Sequence, residues 1–119
     1  MPDVTDVSMR VTEAALAGLE ARQDVRANNI ANVNTPGFAA QTVDFESALA
    51  DAVATGRVDA RTVGGATLQP VMSIQNGQGN TVDLEGEMAA MVKDNLTRSG
   101  LVNHYNAKVR MMRAAMSGS

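Results

Sequence analysis

The chain has 119 residues, enough for one ordinary domain, and 45% of them are hydrophobic, which argues against wholesale disorder. Aromatics are only 3%, Trp and Cys are absent, and eight Met help supply the apolar content. A thick core of rings, disulfides, thiolate metal sites and a Cys nucleophile are thereby excluded. The formal charge of −3 argues against nucleic acid as a partner, because neutralising phosphates needs an excess of Lys and Arg. No basic and apolar leader opens the sequence, and no stretch approaches the roughly 20 apolar residues that cross a bilayer. On those grounds alone the cytoplasm is the default location.

Three zones follow in chain order: residues 1–38, 39–80 and 81–119, read together as one structural unit. The first predicts a helix over about Val4–Val33. Val4, Val7, Val11, Ala14, Gly18, Ala21 and Val25 step by three and four, the spacing of a coiled-coil seam. Leu16, Leu19 and Ile30 lie off that seam and widen the apolar surface. Thr5 or Asp6 is placed to cap the start, and Pro36 with Gly37 imposes the stop. Such a helix would be about 43 Å long, too long to bury its stripe against a compact core of its own.

The middle zone predicts a short helix over Asp44–Val53 that carries Phe45, Leu49 and Val53 on one side. Beyond Gly56 the chain turns to Gly, Thr, Val and Gln. Val71–Gln75 ahead of Asn76-Gly77 reads as a weak strand entering a hairpin turn. Gly77-Gln78-Gly79 is only a fragment of a phosphate loop, with no Lys-Ser or Lys-Thr after it, and reads as a turn.

The third zone predicts a helix over about Asp83–Met116. Its seam is Met88, Met91, Asn95, Val102, Tyr105, Val109, Met112 and Met116, a heptad rhythm broken at Arg98. Gly100 marks a kink or a close approach of another backbone. Asp83, Glu85 and Glu87 near the start and Lys108, Arg110 and Arg113 near the end complement the helix dipole. The expected fold is therefore mainly α. Two long terminal helices pair as an antiparallel coiled coil around a short irregular or β-hairpin middle. Two helices bury one stripe each, so the remaining apolar surface points to other copies or other proteins.

The most distinctive segment is Ala27-Asn28-Asn29-Ile30-Ala31-Asn32-Val33-Asn34-Thr35-Pro36-Gly37-Phe38. Four Asn in seven positions are unusual for a helix, because their amides compete for backbone hydrogen bonds. They suit a helix end whose amides bind the departing loop or a neighbouring chain. Pro36 and Gly37 fit the centre of a type II turn, and Phe38 folds back on the helix.

This segment resembles the N-terminal signature of bacterial flagellar basal-body rod and hook proteins. The short chain, Asp44-Phe45 and the stretch Gly79-Asn80-Thr81-Val82-Asp83-Leu84-Glu85-Gly86-Glu87-Met88 look most like the proximal-rod branch, the FlgB type. Its sister, the FlgC type, and a coiled-coil adaptor of another assembly are the alternatives. The resemblance implies a structural subunit of a helical drive shaft that transmits torque and encloses an export channel. It implies as partners further copies of the chain, rod proteins of the FlgC and FlgF types, and a FliE-type adaptor with the export gate. It also implies a periplasmic basal body reached by type III export without a cleaved signal. The assembly motif is Asn28, Asn29, Ile30, Asn32, Asn34, Thr35, Pro36, Gly37 and Phe38; the helix seam includes Val11, Val25, Met88, Met91, Val102, Tyr105, Val109, Met112 and Met116.

No catalytic, metal or cofactor site is expected. The best residues for an enzyme are His104 with Asp83, Glu85 and Glu87, but general acid–base work needs a partner within hydrogen-bond reach. Acids in a first helical turn have a simpler role as dipole partners. Lys93, Arg98, Lys108, Arg110 and Arg113 make a basic tail without the stacking aromatics of a single-strand binder.

Overall fold

The computed structural model describes residues 4–59, 68–70 and 79–118, with the side chains of 4–6 and 68–70 left aside. Helix α1 spans Val4–Ala31, strand β1 Gln41–Val43, helix α2 Phe45–Thr55, strand β2 Leu68–Pro70 and helix α3 Leu84–Ser117. The molecule is elongated, 66 × 27 × 16 Å. The expectation of two long terminal helices around a short middle is met. Helix α1 begins at Val4, so Thr5 and Asp6 lie within it and do not cap it.

Local chemistry sets the other helix starts. Asp44 caps α2: its carboxylate accepts from the Ser47 amide at 3.1 Å and from the Ser47 hydroxyl at 2.7 Å. Those hydroxyl and amide bonds hold the exposed Asp44 carboxyl below its ordinary pKa. Asp83 caps α3 in the same manner, accepting from Gly86 N at 3.2 Å. Strands β1 and β2 pair antiparallel, with Gln41 opposite Pro70 and Val43 opposite Leu68. The expected strand over 71–75 and its Asn76-Gly77 turn lie outside the described residues.

The core is small. Ala14, Ala15 and Leu19 of α1 meet Val43, Phe45 and Ala52, with Val25, Leu49, Val58 and Leu101 half-buried around them. Leu19, placed off the expected seam, is therefore central. Val53 is exposed, and Ala52 takes its place on the inner side of α2. Gly18 permits this packing, because a methyl there would lie 2.5 Å from Phe45 Cδ2 and 2.6 Å from its Cβ.

Glu13 meets Tyr105, Arg22 meets Asp94, and Asn29 meets Glu87. Partners descend in α3 as they ascend in α1, so the two helices run in opposite directions. Gly100 lies mid-helix, and among the described residues no atom lies within 4 Å of where a Cβ would sit.

These two glycines make a paired test. Alanine is intrinsically the better helix former by about 1 kcal/mol. Gly100→Ala should raise stability by up to that amount. Gly18→Ala should lower it by about 1–3 kcal/mol, because overpacking against Phe45 outweighs propensity. Urea unfolding followed by circular dichroism measures both, and equal shifts would contradict the contact between Gly18 and Phe45.

Candidate assembly site: the polar junction of the terminal helices

The C-terminal end of α1 is stitched to β1 and to the start of α3 by side-chain amides. Asn29 is fully buried. Its Nδ2 donates to the Gln41 carbonyl at 2.7 Å and to Glu87 Oε1 at 3.3 Å, while its Oδ1 accepts from Gln41 N at 3.1 Å. Both backbone groups of Gln41 thus bind the carboxamide, on the edge away from Pro70, which has no N–H to offer.

Asn80 does the complementary work on the departing loop. Its Nδ2 reaches the carbonyls of Asn32, Val33 and Thr35 at 2.8, 3.2 and 2.8 Å, and its Oδ1 accepts from Val82 N at 2.7 Å. Those carbonyls follow the last helical turn, where no intrahelical donor is left. Thr81 N donates to the Phe38 carbonyl at 3.1 Å, and Ala40 N donates to Thr81 Oγ1 at 2.8 Å. Between these contacts lies the turn. Phe38 N donates to the Thr35 carbonyl at 3.2 Å, and Gly37 has φ +75°, the left-handed value a type II turn needs at its third residue. Asn32 and Thr35 close a smaller exposed knot with Asn28.

One helical turn further into α1 the contacts become ionic. Arg22 forks onto Asp94 through Nε and Nη2, at 3.2 and 3.1 Å, while its Nη1 meets both oxygens of Glu46 at 2.9 Å. The guanidinium also lies 4.6 Å over the Phe45 ring. Burial opposes the charge on Arg22, but the bonds and charges of Glu46 and Asp94 outweigh that cost and raise its pKa. Arg26 joins the same Asp94 at 3.1 Å and reaches Glu87 at 3.3 Å. Among the described residues every buried side-chain nitrogen and oxygen has a hydrogen-bond partner. The arrangement binds helix to helix; it presents no nucleophile with a base. Asp83 caps a helix while Glu87 turns to Arg26 and Asn29, so the two carboxylates do not converge on a metal.

The family description "Flagella basal body rod protein" matches residues 9–38, the stretch that carries Asn29, the arginine pair and the Pro36-Gly37 turn. The flagellar basal body rod protein FlgB of Yersinia enterocolitica is 32% identical over 114 residues, covering 81% of this chain and 83% of its own length. FlgB of Escherichia coli K12 is 30% identical over 139 positions, spanning the whole of both chains. The chain belongs to the flagellar basal-body rod proteins. FlgB of Bacillus subtilis 168 is 28% identical over 116 residues, covering 89% of this chain and 90% of its own length. Membership of the FlgB type makes this a structural subunit of the basal-body rod, not an enzyme.

Within this rod protein, the expected motif residues do not all meet. Asn29 is buried and Asn32 is half-buried in the junction, whereas Asn28, Asn34, Thr35, Pro36 and Gly37 are exposed and Ile30 and Phe38 half-buried. Of the expected α3 seam, Tyr105 reaches Glu13 of α1, and much of the rest lies on the surface. Met88 is 56% and Met116 84% exposed, with Asn95, Val102 and Met112 also on the surface; Met91, Tyr105 and Val109 are half-buried, as are Val11 and Val25 of α1. Helix α3 faces α1 with Glu87, Asp94 and Leu101, one residue earlier in each case than 88, 95 and 102. The seam within the chain is ionic there, and an apolar heptad search passes over it. Asn80, Thr81, Arg22, Arg26 and Asp94 are not among the expected site residues, and Glu87 is weighed from sequence as a dipole partner and as an acid–base candidate, not as a link between the helices. Arg22 and Arg26 at i, i+4, matched by Glu87 and Asp94 at i, i+7, were the available signal.

Removing the buried Asn29 carboxamide takes a partner from the Gln41 backbone and from the buried Glu87. Asn29→Ala should cost about 1–3 kcal/mol, against less than half that for the exposed Asn28→Ala. Urea unfolding of the two variants makes the comparison. A second check uses the one tyrosine. The Tyr105 hydroxyl donates to Glu13 Oε1 at 2.8 Å, and this bond to a carboxylate raises the phenol pKa. The contact is complete below the ordinary phenol pKa of about 10 and is lost as pH rises through the raised value. Ultraviolet titration should place phenolate formation above that of free tyrosine, and Glu13→Gln should bring it down.

Proposed function

We propose that this chain assembles helically, with copies of itself and with rod proteins of the FlgC and FlgF types, into the proximal rod. In that reading the terminal helices pack as coiled coils around an export channel, and the shaft passes torque outward. The FliE-type adaptor and the export gate lie beneath it. Subunits arrive in the periplasm by type III export, without a cleaved signal. The motif from Asn28 to Phe38 and the junction it forms fix the angle at which the helices leave the middle segment, and 1–38, 39–80 and 81–119 act as one unit.

One observation carries the reading: the outward surface of α3 carries a row of large apolar side chains. Leu84, Met88, Val92 and Leu96 follow each other at i, i+4, and their exposures run from 40% to 70%. Met111, Met112 and Met116 continue the exposed apolar surface toward the end. A helix that turns two carboxylates inward and a row of large apolar side chains outward is built to be covered along that row. Among the described residues no helix is long and apolar enough to cross a membrane, so lipid is not the cover offered by a spanning segment.

The test is a charge in that row. Leu96 is 70% exposed, so Leu96→Asp should leave the isolated protein's helix content and unfolding midpoint within about 0.5 kcal/mol of the parent. Rod completion and swimming should fail, because an unpaired charge would be buried between subunits. Asn103→Asp, on the exposed polar surface, is the control. Complete basal bodies from the Leu96→Asp strain would remove the apolar row from the assembly.

A further inference from the structure

The inward pairing of charges leaves the outer surface electrostatically divided. Between residues 13 and 31, α1 carries two basic side chains, Arg22 and Arg26, and both turn inward to Asp94, Glu46 and Glu87. What remains outward on α1 is acidic and small: Glu20 and Asp24, exposed, with Ala27 and Ala31 beyond them. The end of α3 has the opposite character. From residue 105 to 118 it holds Lys108, Arg110 and Arg113 and no acid, interleaved with exposed Met111, Met112 and Met116. Glu20 and Asp24 are separated by one helical turn, and so are Arg110 and Arg113, so two cations can address two carboxylates at one spacing. The alanines leave room for methionine side chains between them.

Resting on the rod-subunit reading, we infer that the basic, Met-rich end of α3 docks on the acidic outer face of α1 of a second copy. Because the two patches differ, the contact is heterologous: each copy offers one patch to the copy before it and the other to the copy after it. Such a contact propagates and does not close into a two-fold dimer. Opposed fields also steer the approach and set the register, while the methionines supply adaptable contact.

Reciprocal charge reversal tests the pairing in a strain whose own copy is deleted. Glu20→Lys with Asp24→Lys, and separately Arg110→Glu with Arg113→Glu, should each cut the yield of complete basal bodies at least tenfold. All four changes in one chain should restore at least half of the parent yield. Recovery no better than that of either pair overturns the inference. The same holds if the reversed α3 end loses binding to phosphatidylserine vesicles while assembly stays intact.

A cross-link decides the matter even where four substitutions harm folding. The chain has no cysteine, so cells making Asp24→Cys and Arg113→Cys copies together can form a disulfide only through the introduced thiols. Purified basal bodies should yield disulfide dimers when both variants are present. Dimers from Asp24→Cys alone would mean a symmetric contact between α1 helices, and basal bodies containing both variants without the cross-link would likewise sink the proposal. If the parent chain is itself missing from basal bodies, the rod reading has failed; incorporation without cross-linking defeats only this interface.

Discussion

The carboxamide of Asn29 joins three elements that share no common ladder. It replaces a neighbouring strand for Gln41, supplying both the acceptor and the donor that this residue needs. The spare hydrogen on its nitrogen steadies Glu87, the buried carboxylate at the start of α3. Asn29 and Glu87 are buried, so their polar groups need partners within the protein. A purely apolar side chain has no means of serving backbone and carboxylate together. From this point the loop is closed by Asn80, and the helices are aligned by Arg22 and Arg26.

The consequence is an unusual division of labour in α3. A helix in a small domain normally turns its apolar stripe inward. Here the inward positions hold Glu87 and Asp94, whose ionic partners fix direction and register but bury little hydrocarbon. Among the described residues the buried apolar core lies where α1, β1 and α2 meet around Phe45, with Leu101 of α3 against it. Burial, the larger source of stability, is left available at the surface. Directional polar contacts therefore shape the single chain, and apolar area remains for the assembly.

Much of this was legible from sequence because it is local. Pro36-Gly37 announced its turn, Asp44 and Asp83 stand where the helices begin, and the two long periodic stretches became the two long helices. What was misread depends on partners far apart in the chain. Arg26 and Glu87 are 61 residues apart, and Arg22 and Asp94 are 72 apart. No window of periodicity brings such pairs together. The heptad of Met88, Met91 and Val102 is there, but the row that meets α1 is Glu87, Asp94 and Leu101, one residue earlier than 88, 95 and 102, and an apolar pattern passes over it. Four asparagines were recognised as a helix end, yet only the fold distinguishes Asn29, buried and bound on all sides, from exposed Asn28 and Asn34.

The chain leaves the junction at Phe38 and returns to it at Asn80, and Thr81 N on the Phe38 carbonyl fastens exit to return. The chain thus leaves and returns at one spot, and between those points Gln41, Val43, Phe45 and Glu46 hold the first part of the middle segment to α1. Lengthening a closed loop costs only about 0.6 kcal/mol for each doubling. Length added beyond α2 therefore costs little and leaves unchanged the contacts by which the two long helices meet, so the stretch between α2 and Asn80 is where the chain tolerates insertion or loss most readily.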